Sequence, residues 1–276
     1  MTKKTNILLN LVRLDFYKNI FSYKWIPIIS SLFIVNIWGI HDVLYKSFSI
    51  KKSFNKIDVL FNILTEQHFV IYFYTPIIIY LMILAITSSF NSSSLIRIGS
   101  IKIWIINKII TIYIISIIFV MLQFIVAFIS SLQIPYNGTW SSFAKSLTLL
   151  PKNIVVTYES PLIALICSLI LLILGFGTLG VIIMISFVYF GRSKLMLIPV
   201  ILVWALTIFG LHLVIDIPDY LNYLSYGTNV SLPNSMYYSS NGFIISVLVF
   251  IFFNLILILI SNFRLKNYDL NSGDKK

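Results

Sequence analysis

Few residues in this chain are of the types that perform catalysis or bind metals. Its 276 residues include one cysteine, Cys167, and three histidines, His41, His68 and His212. A single cysteine forms neither a disulfide within the chain nor a paired-cysteine metal site, and no two histidines have HExxH spacing. Hydrolysis within a membrane needs a nucleophile with a base, paired aspartates or a metal cluster, and the sequence has no motif for these. We therefore expect no catalytic residue, no metal site and no enzymatic activity.

Glycine-rich segments can bind nucleotides, but this chain has no convincing one. The sequence contains no phosphate-binding loop of the form GxxxxGKS/T. The segment GFGTLG, with Gly175, Gly177 and Gly180, formally matches a dinucleotide fingerprint. It lies inside an apolar run, with no preceding soluble strand and no following acidic residue for a ribose. We interpret these glycines as positions where membrane helices approach closely, and we expect no cofactor on this chain.

Several polar side chains lie within apolar runs, and all of them are uncharged. They are Asn36, Thr87, Ser116, Gln123, Ser168 and Asn254. One interpretation is that they form hydrogen bonds between helices, each contributing about 0.6 kcal/mol. The other is that some of them line a substrate pathway. The candidates for that pathway are Asn36, Thr87, Gln123 and Asn254.

The composition identifies the solvent that surrounds most of these residues. Hydrophobic residues make up 59% of the chain and charged residues 11%, and the mean hydropathy is +0.96. A soluble domain carries about 25% charged residues because it must present them to water. The chain is therefore predicted to be an integral membrane protein, which excludes the soluble enzymes.

Apolar runs long enough to cross a bilayer occur six times. A hydrocarbon core about 30 Å thick requires about 20 apolar residues in a helix. The predicted spans cover residues 25–44, 69–90, 109–132, 161–190, 195–215 and 243–263. Only the first span contains a charged residue, Asp42, near its outer end. We therefore predict an all-α membrane protein with a six-span transmembrane domain over residues 25–263.

Basic residues predict the orientation of the spans. If both termini are cytoplasmic, most of the 20 Lys and Arg residues, including every arginine, lie on the inner side. Acidic and basic residues balance on the outer side, so the inner side carries the net charge of +11. This distribution follows the positive-inside rule. The charge therefore indicates topology, we expect no nucleic-acid partner, and residues 264–276 form a cytoplasmic tail.

Residues 1–24 are predicted to form an amphipathic helix in the cytoplasmic membrane interface. Its polar stripe consists of Asn6, Asn10, Arg13 and Tyr17. Asp15 and Lys18 fall outside this stripe. Any signal-peptide core is interrupted by Asn10, Arg13, Asp15 and Lys18, so we expect no cleavage. Membrane lipid is the expected partner of such a helix.

Two segments have the character of a known transporter family. Residues 91–108 read NSSSLIRIGSIKIWIINK and join a serine-rich helix start to an arginine, a glycine and a lysine-flanked tryptophan. Residues 11–26 read LVRLDFYKNIFSYKWI and lead from the amphipathic helix into the first span. With six spans and both termini inside, the chain resembles the permease subunit of an ABC type 2 transporter over essentially its whole length.

This resemblance implies a separate cytoplasmic ABC ATPase that binds ATP and Mg²⁺. The candidate contact residues are Ser92, Arg97, Ser100, Lys102, Arg192 and Lys194. Many members open this coupling segment with an acidic residue, whereas this chain has Asn91 there. The basic candidates also satisfy the positive-inside rule by themselves. The resemblance further implies a second permease copy or a similar permease, and short helices around residues 217–224.

The resemblance also implies an export function. The spans offer aromatic and aliphatic walls without fixed charge, which suits an amphipathic peptide, antibiotic, bacteriocin or lipid-like molecule. Such exporters, including bacteriocin-immunity systems, lie in the cell membrane of low-GC Gram-positive bacteria, and the excess of lysine over arginine fits an AT-rich genome. An accessory or substrate-binding membrane protein is an alternative. A secondary carrier is disfavoured because internal repeats and ionisable residues at membrane depth are missing.

Overall fold

Most of the long helices begin and end within a few residues of the ends of the apolar runs in the sequence. The computed structural model describes residues 3–20, 22–87, 101–146, 152–191, 193–212 and 223–265. Short 3-10 turns occur at Ala144–Ser146 and Lys194–Leu197. The other helices of the described residues, numbered in chain order, are α1 (Lys3–Ile20), α2 (Trp25–Ile50), α3 (Lys56–Thr65), α4 (Gln67–Thr87), α5 (Ile101–Ser130), α6 (Lys152–Thr157), α7 (Pro161–Phe190), α8 (Ile198–His212), α9 (Tyr226–Val230), α10 (Leu232–Tyr238) and α11 (Gly242–Leu265).

Five of these helices are long and apolar enough to cross a membrane, namely α2, α4, α5, α7 and α11. α8 is a shorter apolar helix at the position of the predicted span 195–215, and residues 213–215 lie outside the described ranges. The described residues contain no strand. The chain is therefore an all-α, multi-pass membrane protein, as predicted. The sixth span and the cytoplasmic position of both termini stay predictions.

The helix bounds agree best with the sequence at the fourth span and least at the third. α7 covers Pro161–Phe190, the predicted residues, because a proline occupies its first turn and Gly191 follows its end with a φ of 62°. α5 begins at Ile101 rather than at Ile109. The helix continues through Lys108 because that ammonium group is neutralised inside the protein, as described below.

α7 is the central helix of the bundle. It packs against α4, α5, α8 and α11, and it also contacts α3 and α9. A Cβ atom added at Gly175 would lie within 3.0 Å of Val230, and one at Gly180 within 3.0 Å of Ile112. Gly177 is packed equally tightly. The prediction that the GFGTLG segment serves close helix packing is confirmed.

α3 is buried on every side although it has only 10 residues. It lies between α2, α5 and α7. Asn55 caps it: the Asp58 N–H donates to Asn55 Oδ1 at 3.0 Å, and the Asn55 N–H donates to Asp58 Oδ2 at 2.9 Å. The Lys56 N–H donates to the Pro135 carbonyl at 2.9 Å, which joins α3 to the segment after α5. α3 is therefore part of the core at the end of the bundle opposite α1.

α1 is anchored to the start of α5 by a buried ion pair. Lys108 Nζ lies 2.5 Å from Asp15 Oδ2, and the two residues are 1% and 6% exposed. Asn107 donates its Nδ2–H to the same oxygen at 2.7 Å. The sequence placed Asp15 outside the polar stripe of an interfacial helix and gave no sign of this pairing. Asp15 therefore binds α1 to the bundle rather than facing the membrane interface.

α4 contains a π-helical segment, Val70–Tyr74. The Thr75 hydroxyl donates to the Val70 carbonyl at 2.8 Å. Trp204 of α8 donates its Nε1–H to the Ile71 carbonyl at 2.9 Å. Because a π-turn displaces the usual helical hydrogen bonds, side chains supply partners to its carbonyls. Trp204 thereby connects α8 to α4 in the middle of an apolar helix.

Candidate functional site

A large cavity lies between α7, α8 and α11. The described residues border about 600 Å³ there, a volume in the range of small-molecule sites. The apolar helices contribute Ile182, Val203, Leu206, Val249 and Phe250, among others. α9 and α10 border one end of the space. This space, which we call the large cavity, therefore extends from two short helices into the middle of three apolar ones.

The described lining of the large cavity is amphipathic and carries no charge. Its amide and hydroxyl side chains are Gln67, Thr178, Thr207, Ser225, Thr228, Asn229 and Asn234. Its aromatic side chains are Tyr226, Tyr237, Tyr238, Phe250 and Phe253. None of the lining residues in the described ranges is Asp, Glu, Lys, Arg or His. Aromatic rings contact apolar surface and amides bind polar groups, so the cavity suits an amphipathic organic molecule.

Hydrogen bonds position α9 and α10 at the end of the large cavity. Asn229 donates Nδ2–H groups to the carbonyls of Tyr223 and Ser225 at 2.6 and 2.8 Å, which closes the turn before α9. Ser231, between the two helices, donates its hydroxyl to the Thr65 carbonyl at 2.9 Å. The Ser231 bond reaches the end of α3, because Thr65 is the last residue of that helix. The two short helices are therefore attached to the buried core and present their side chains to the cavity.

Tyr226 adds a partly buried aromatic wall whose hydroxyl is excluded from solvent and stays neutral. Burial raises the pKa of its hydroxyl above the ordinary value for tyrosine, and the nearby Thr75 hydroxyl opposes that rise without cancelling it. The ring packs edge-on against Phe250, with ring centroids 6.3 Å apart. The hydroxyl therefore stays protonated at neutral pH, and this part of the wall contributes no charge.

A smaller cavity of about 200 Å³ adjoins the large one, and we call it the polar cavity. Gln67, Asn234 and Tyr237 line both spaces, so these three side chains lie between them. The polar cavity differs from the large cavity in having two carboxylates, Asp58 and Glu66, in its lining. Negative charge therefore lies directly beyond one end of a cavity whose described lining is uncharged.

Asp58 is the more deeply buried of these two acids. It is 3% exposed, and Glu66, immediately after α3, is half-buried. Burial raises the pKa of the Asp58 carboxyl, while hydrogen-bonding groups of Ser141 and Asn55 oppose that rise. The Asn55 N–H contacts Oδ2 at 2.9 Å, and Oδ1 accepts no hydrogen bond of regular geometry from the described residues. Asp58 is thus a buried acid with unused acceptor capacity.

Most of the predicted ATPase contacts lie outside the described residues. Three of them fall in the range 88–100: Ser92, Arg97 and Ser100. Arg192 and the side chain of Lys102 are also outside the described part of the chain, although the Lys102 backbone lies in the first turn of α5. Lys194 is exposed at the start of the 3-10 turn before α8. Their role in coupling stays a prediction.

Asn36 and Gln123, two of the predicted pathway residues, belong to one buried hydrogen-bonded cluster. Gln123 donates Nε2–H groups to Asn36 Oδ1 at 2.9 Å and to the Tyr74 hydroxyl at 2.5 Å. Tyr74 donates to the Ile63 carbonyl at 2.9 Å. Asn36 and Gln123 are 0% and 2% exposed, and neither lines the large cavity. They connect α2, α4 and α5 to α3, and their role in a substrate pathway stays a prediction.

The other two pathway candidates lie in different places. Thr87 is the last residue of α4, and its hydroxyl donates to the Ile83 carbonyl at 2.7 Å. Asn254 donates an Nδ2–H to Thr178 Oγ1 at 2.8 Å, and Thr178 lines the large cavity. Asn254 therefore lies directly behind the cavity wall, whereas Thr87 lies at the opposite end of α4 from Gln67.

The residues that line the two cavities were not identified by sequence reasoning. They come from segments far apart in the chain, such as Glu66 and Gln67 before α4 and Asn229 and Asn234 after α8. The tyrosine-rich stretch of residues 220–238 is a signal for this region. Aromatic belts at membrane interfaces produce the same signal, so it does not distinguish a cavity from a lipid-facing surface.

Comparisons with known proteins do not assign the chain to a family. No protein-family model, no curated protein and no solved structure matches it. Its function is therefore inferred from its residues and their geometry.

Proposed function

We propose that this chain is the permease subunit of an ATP-driven ABC exporter that moves an amphipathic substrate out of the cell or the membrane. The observation that carries this proposal is the large cavity, whose described residues form uncharged aromatic, amide and hydroxyl walls among apolar helices. Such walls suit a molecule that has both apolar and polar surfaces. The sequence has no phosphate-binding loop, so the proposed ATP hydrolysis takes place on a partner chain.

The attachment of α1 supports a mechanical connection between the proposed ATPase and the cavity. Asp15 joins α1 to Lys108 at the start of α5, and Lys108 also donates to the Ala85 carbonyl of α4 at 3.4 Å. α5 packs against α7, which borders the large cavity. Movement imposed at the start of α5 would therefore reach the cavity wall through packed helices.

The proposed assembly contains two permease chains and two ATPase subunits in a bacterial cell membrane. The second permease is another copy of this chain or a similar protein. Large apolar side chains are exposed on α2, α8 and α11, and they suit contact with lipid or with that second permease. In this arrangement ATP and Mg²⁺ bind the ATPase, and this chain catalyses no reaction itself.

A substrate-binding or accessory membrane protein is the second candidate, because the same cavity could hold a ligand without an ATPase. A secondary carrier has weaker support. Ion-coupled carriers use ionisable side chains at membrane depth, and the described lining of the large cavity has no acidic or basic residue.

Co-purification distinguishes these candidates. The chain is tagged, extracted from its native membrane in mild detergent at modest salt, and its partners are identified by mass spectrometry after cross-linking. We expect a stoichiometric ATPase that carries a phosphate-binding loop. Arg97→Glu should remove this ATPase, because the change reverses a charge in the proposed coupling segment. Lys145→Glu makes the same change at an exposed residue on the predicted outer side and should retain it.

The outcomes separate clearly. Loss of the ATPase in Arg97→Glu alone supports both the exporter and the site of coupling. A chain that purifies without any ATPase after cross-linking contradicts the exporter proposal and favours an accessory protein or a carrier.

A further inference from the structure

The two adjoining cavities have complementary chemistry. The large cavity offers aromatic and aliphatic walls, and the polar cavity offers two carboxylates, with Gln67, Asn234 and Tyr237 between them. An amide, a second amide and a phenol can each bind a polar group that moves past them. From the large cavity to the polar cavity, the lining therefore changes from mainly apolar to the hydrogen-bonding side chains of Gln67, Asn234 and Tyr237, which we call the partition. Beyond the partition lies the polar cavity with its two carboxylates, which we also call the acidic space.

The acidic space has no basic residue of its own among the described residues that line it. Lys56 is on the same helix as Asp58, but its ammonium lies over the Phe128 ring, 4.3 Å from the ring centroid. No Lys, Arg or His whose side chain the structure describes comes within 4.0 Å of the Asp58 carboxylate. Among the described side chains, Asp58 is therefore a buried acid without an ion-pair partner.

A buried carboxylate with no cation is energetically unfavourable, and a positive ligand group relieves this cost. Asp58 Oδ1 is excluded from solvent, accepts no hydrogen bond of regular geometry from the described residues although groups of Ser141 lie near the carboxyl, and belongs to a residue that lines the polar cavity. Glu66 supplies a second carboxylate to the same lining. A space of about 200 Å³ can hold an ammonium or guanidinium group together with water.

We propose that the substrate is an amphipathic cation, whose apolar part occupies the large cavity and whose ammonium or guanidinium group binds at Asp58 and Glu66 in the polar cavity. This inference rests on the proposed transport function, because it names the class of cargo for the same site. The described walls of the large cavity, which are uncharged, would accept the apolar part, and the side chains of Gln67, Asn234 and Tyr237 would let the basic group pass to the carboxylates.

Equilibrium binding to the full chain in nanodiscs of neutral lipid tests the proposal. The probe is dansylcadaverine, which joins a fluorescent apolar ring system to a primary ammonium, and the matched neutral probe is its N-acetyl derivative. We expect the ammonium probe to bind at least about tenfold more tightly, as expected for a charged group that meets a buried carboxylate. Dansyl emission reports binding of both probes.

Three substitutions locate the preference. Asp58→Asn and Glu66→Gln should each remove most of it while leaving the weaker binding of the neutral probe unchanged. Glu159→Gln makes the same chemical change at an exposed acid that lines neither cavity and should keep the full preference. If Asp58→Asn fails to give a monodisperse protein in size-exclusion chromatography, Glu66→Gln, which changes a half-buried residue, still tests the prediction.

Equal affinity for the two probes overturns the proposal, as does a preference that Asp58→Asn and Glu66→Gln leave intact. The result is separable from the exporter proposal. An ATPase that co-purifies with a chain lacking cation preference refutes only the cargo class. A cation preference in a chain that has no ATPase partner refutes the exporter and leaves the ligand class standing.

Discussion

Asp15 and Lys108 face each other where α1 meets α5, and both are nearly excluded from solvent. Asn107 adds a hydrogen bond to the carboxylate oxygen that Lys108 contacts. The attraction between the two charges offsets the cost of burying them, so each depends on the other. A buried charge that loses its partner destabilises a protein by about 3 to 5 kcal/mol. At the scale of single residues, the loss of one member of such a pair therefore costs stability because the other charge stays buried without its partner.

Lys108→Met is expected to lower the free energy of unfolding by about 3 to 5 kcal/mol, because it leaves Asp15 buried without its cation. The double variant Asp15→Asn, Lys108→Met should recover much of this loss, since neither charge remains. Lys46→Met, which breaks the more exposed pair with Asp42, should change stability by less than about 1 kcal/mol. Thermal unfolding in detergent measures all three. A double variant no more stable than Lys108→Met would contradict the ion-pair account.

Asp58 should make stability depend on pH. Burial raises the pKa of its carboxyl in the folded protein, so the folded state holds the proton more tightly than the unfolded state. The stabilising contribution is complete below the unfolded pKa and is lost as pH rises through the folded pKa. Asp58→Asn removes this dependence, and the neighbouring Glu66 and Lys56 are common to both proteins. Melting temperatures from about pH 4 to about pH 8 should therefore show the variant gaining on the wild type as pH rises. A difference that is constant with pH would refute this titration.

At the scale of elements, close approach to α7 determines how the helices are arranged. α5 and α11 pack extensively along α7, and α9 lies against it at Gly175. Small residues allow such contacts, and lipid offers no hydrophobic force to replace them. A lost contact surface on α7 therefore affects both the bundle and the large cavity.

Gly180→Ala is expected to destabilise the bundle by about 1 to 3 kcal/mol, the range for overpacking of a tight interface. The added methyl group would lie within 3.0 Å of Ile112, a β-branched residue of α5 whose side chain has little room to turn away. Gly138→Ala is the matched control, because nothing lies within 4 Å of its added methyl group. Thermal unfolding compares the two variants, and an equal effect would contradict the packing role of Gly180.

The main helices were predictable from the sequence because the apolar runs are long and because particular residues mark the helix ends. Pro161 and Gly191 mark both ends of α7, and the two bounds agree with the prediction. The start of α5 was missed because Lys108 looked like an interfacial charge, whereas its partner Asp15 is far away in the chain. A charged residue marks the end of a membrane span only when it has no partner of opposite charge inside the protein. Whether such a partner is near depends on the fold and not on the neighbouring sequence.

The two cavities could not be predicted from the sequence for a related reason. Asp58 and Asn62 occur in a segment with ordinary polar residues, yet every side chain of α3 is buried. The polar cavity forms only where α3 meets Asn234 and Tyr237 of α10. No local period of hydrophobic residues encodes a contact between such distant segments. The chemistry of this site therefore emerges from tertiary packing.

At the scale of the whole molecule, charge and cavities suggest a direction across the membrane. The buried pair of α1 and α5 lies at one end of the bundle, and α3, with the polar cavity, lies at the other. The positive-inside rule assigns the first end to the cytoplasm. In an exporter of this orientation, a cationic group would move toward carboxylates on the outer side.

Cysteine labelling tests this orientation. In a Cys167→Ala background, Lys145→Cys should react with a membrane-impermeant maleimide in intact cells, because residue 145 is exposed on the predicted outer side. Lys194→Cys, at an exposed residue on the predicted inner side, should react only after permeabilisation. Labelling in the opposite order would reverse the topology and, with it, the proposed direction of transport.

ATP hydrolysis by the assembly purified through this chain tests the central claim most directly, because the chain itself has no phosphate-binding loop. The account predicts Mg²⁺-dependent hydrolysis that co-elutes with the tagged chain and disappears from the Arg97→Glu preparation. Hydrolysis no greater than in a mock purification from untagged cells would contradict the claim that this chain is the permease of an ATP-driven exporter.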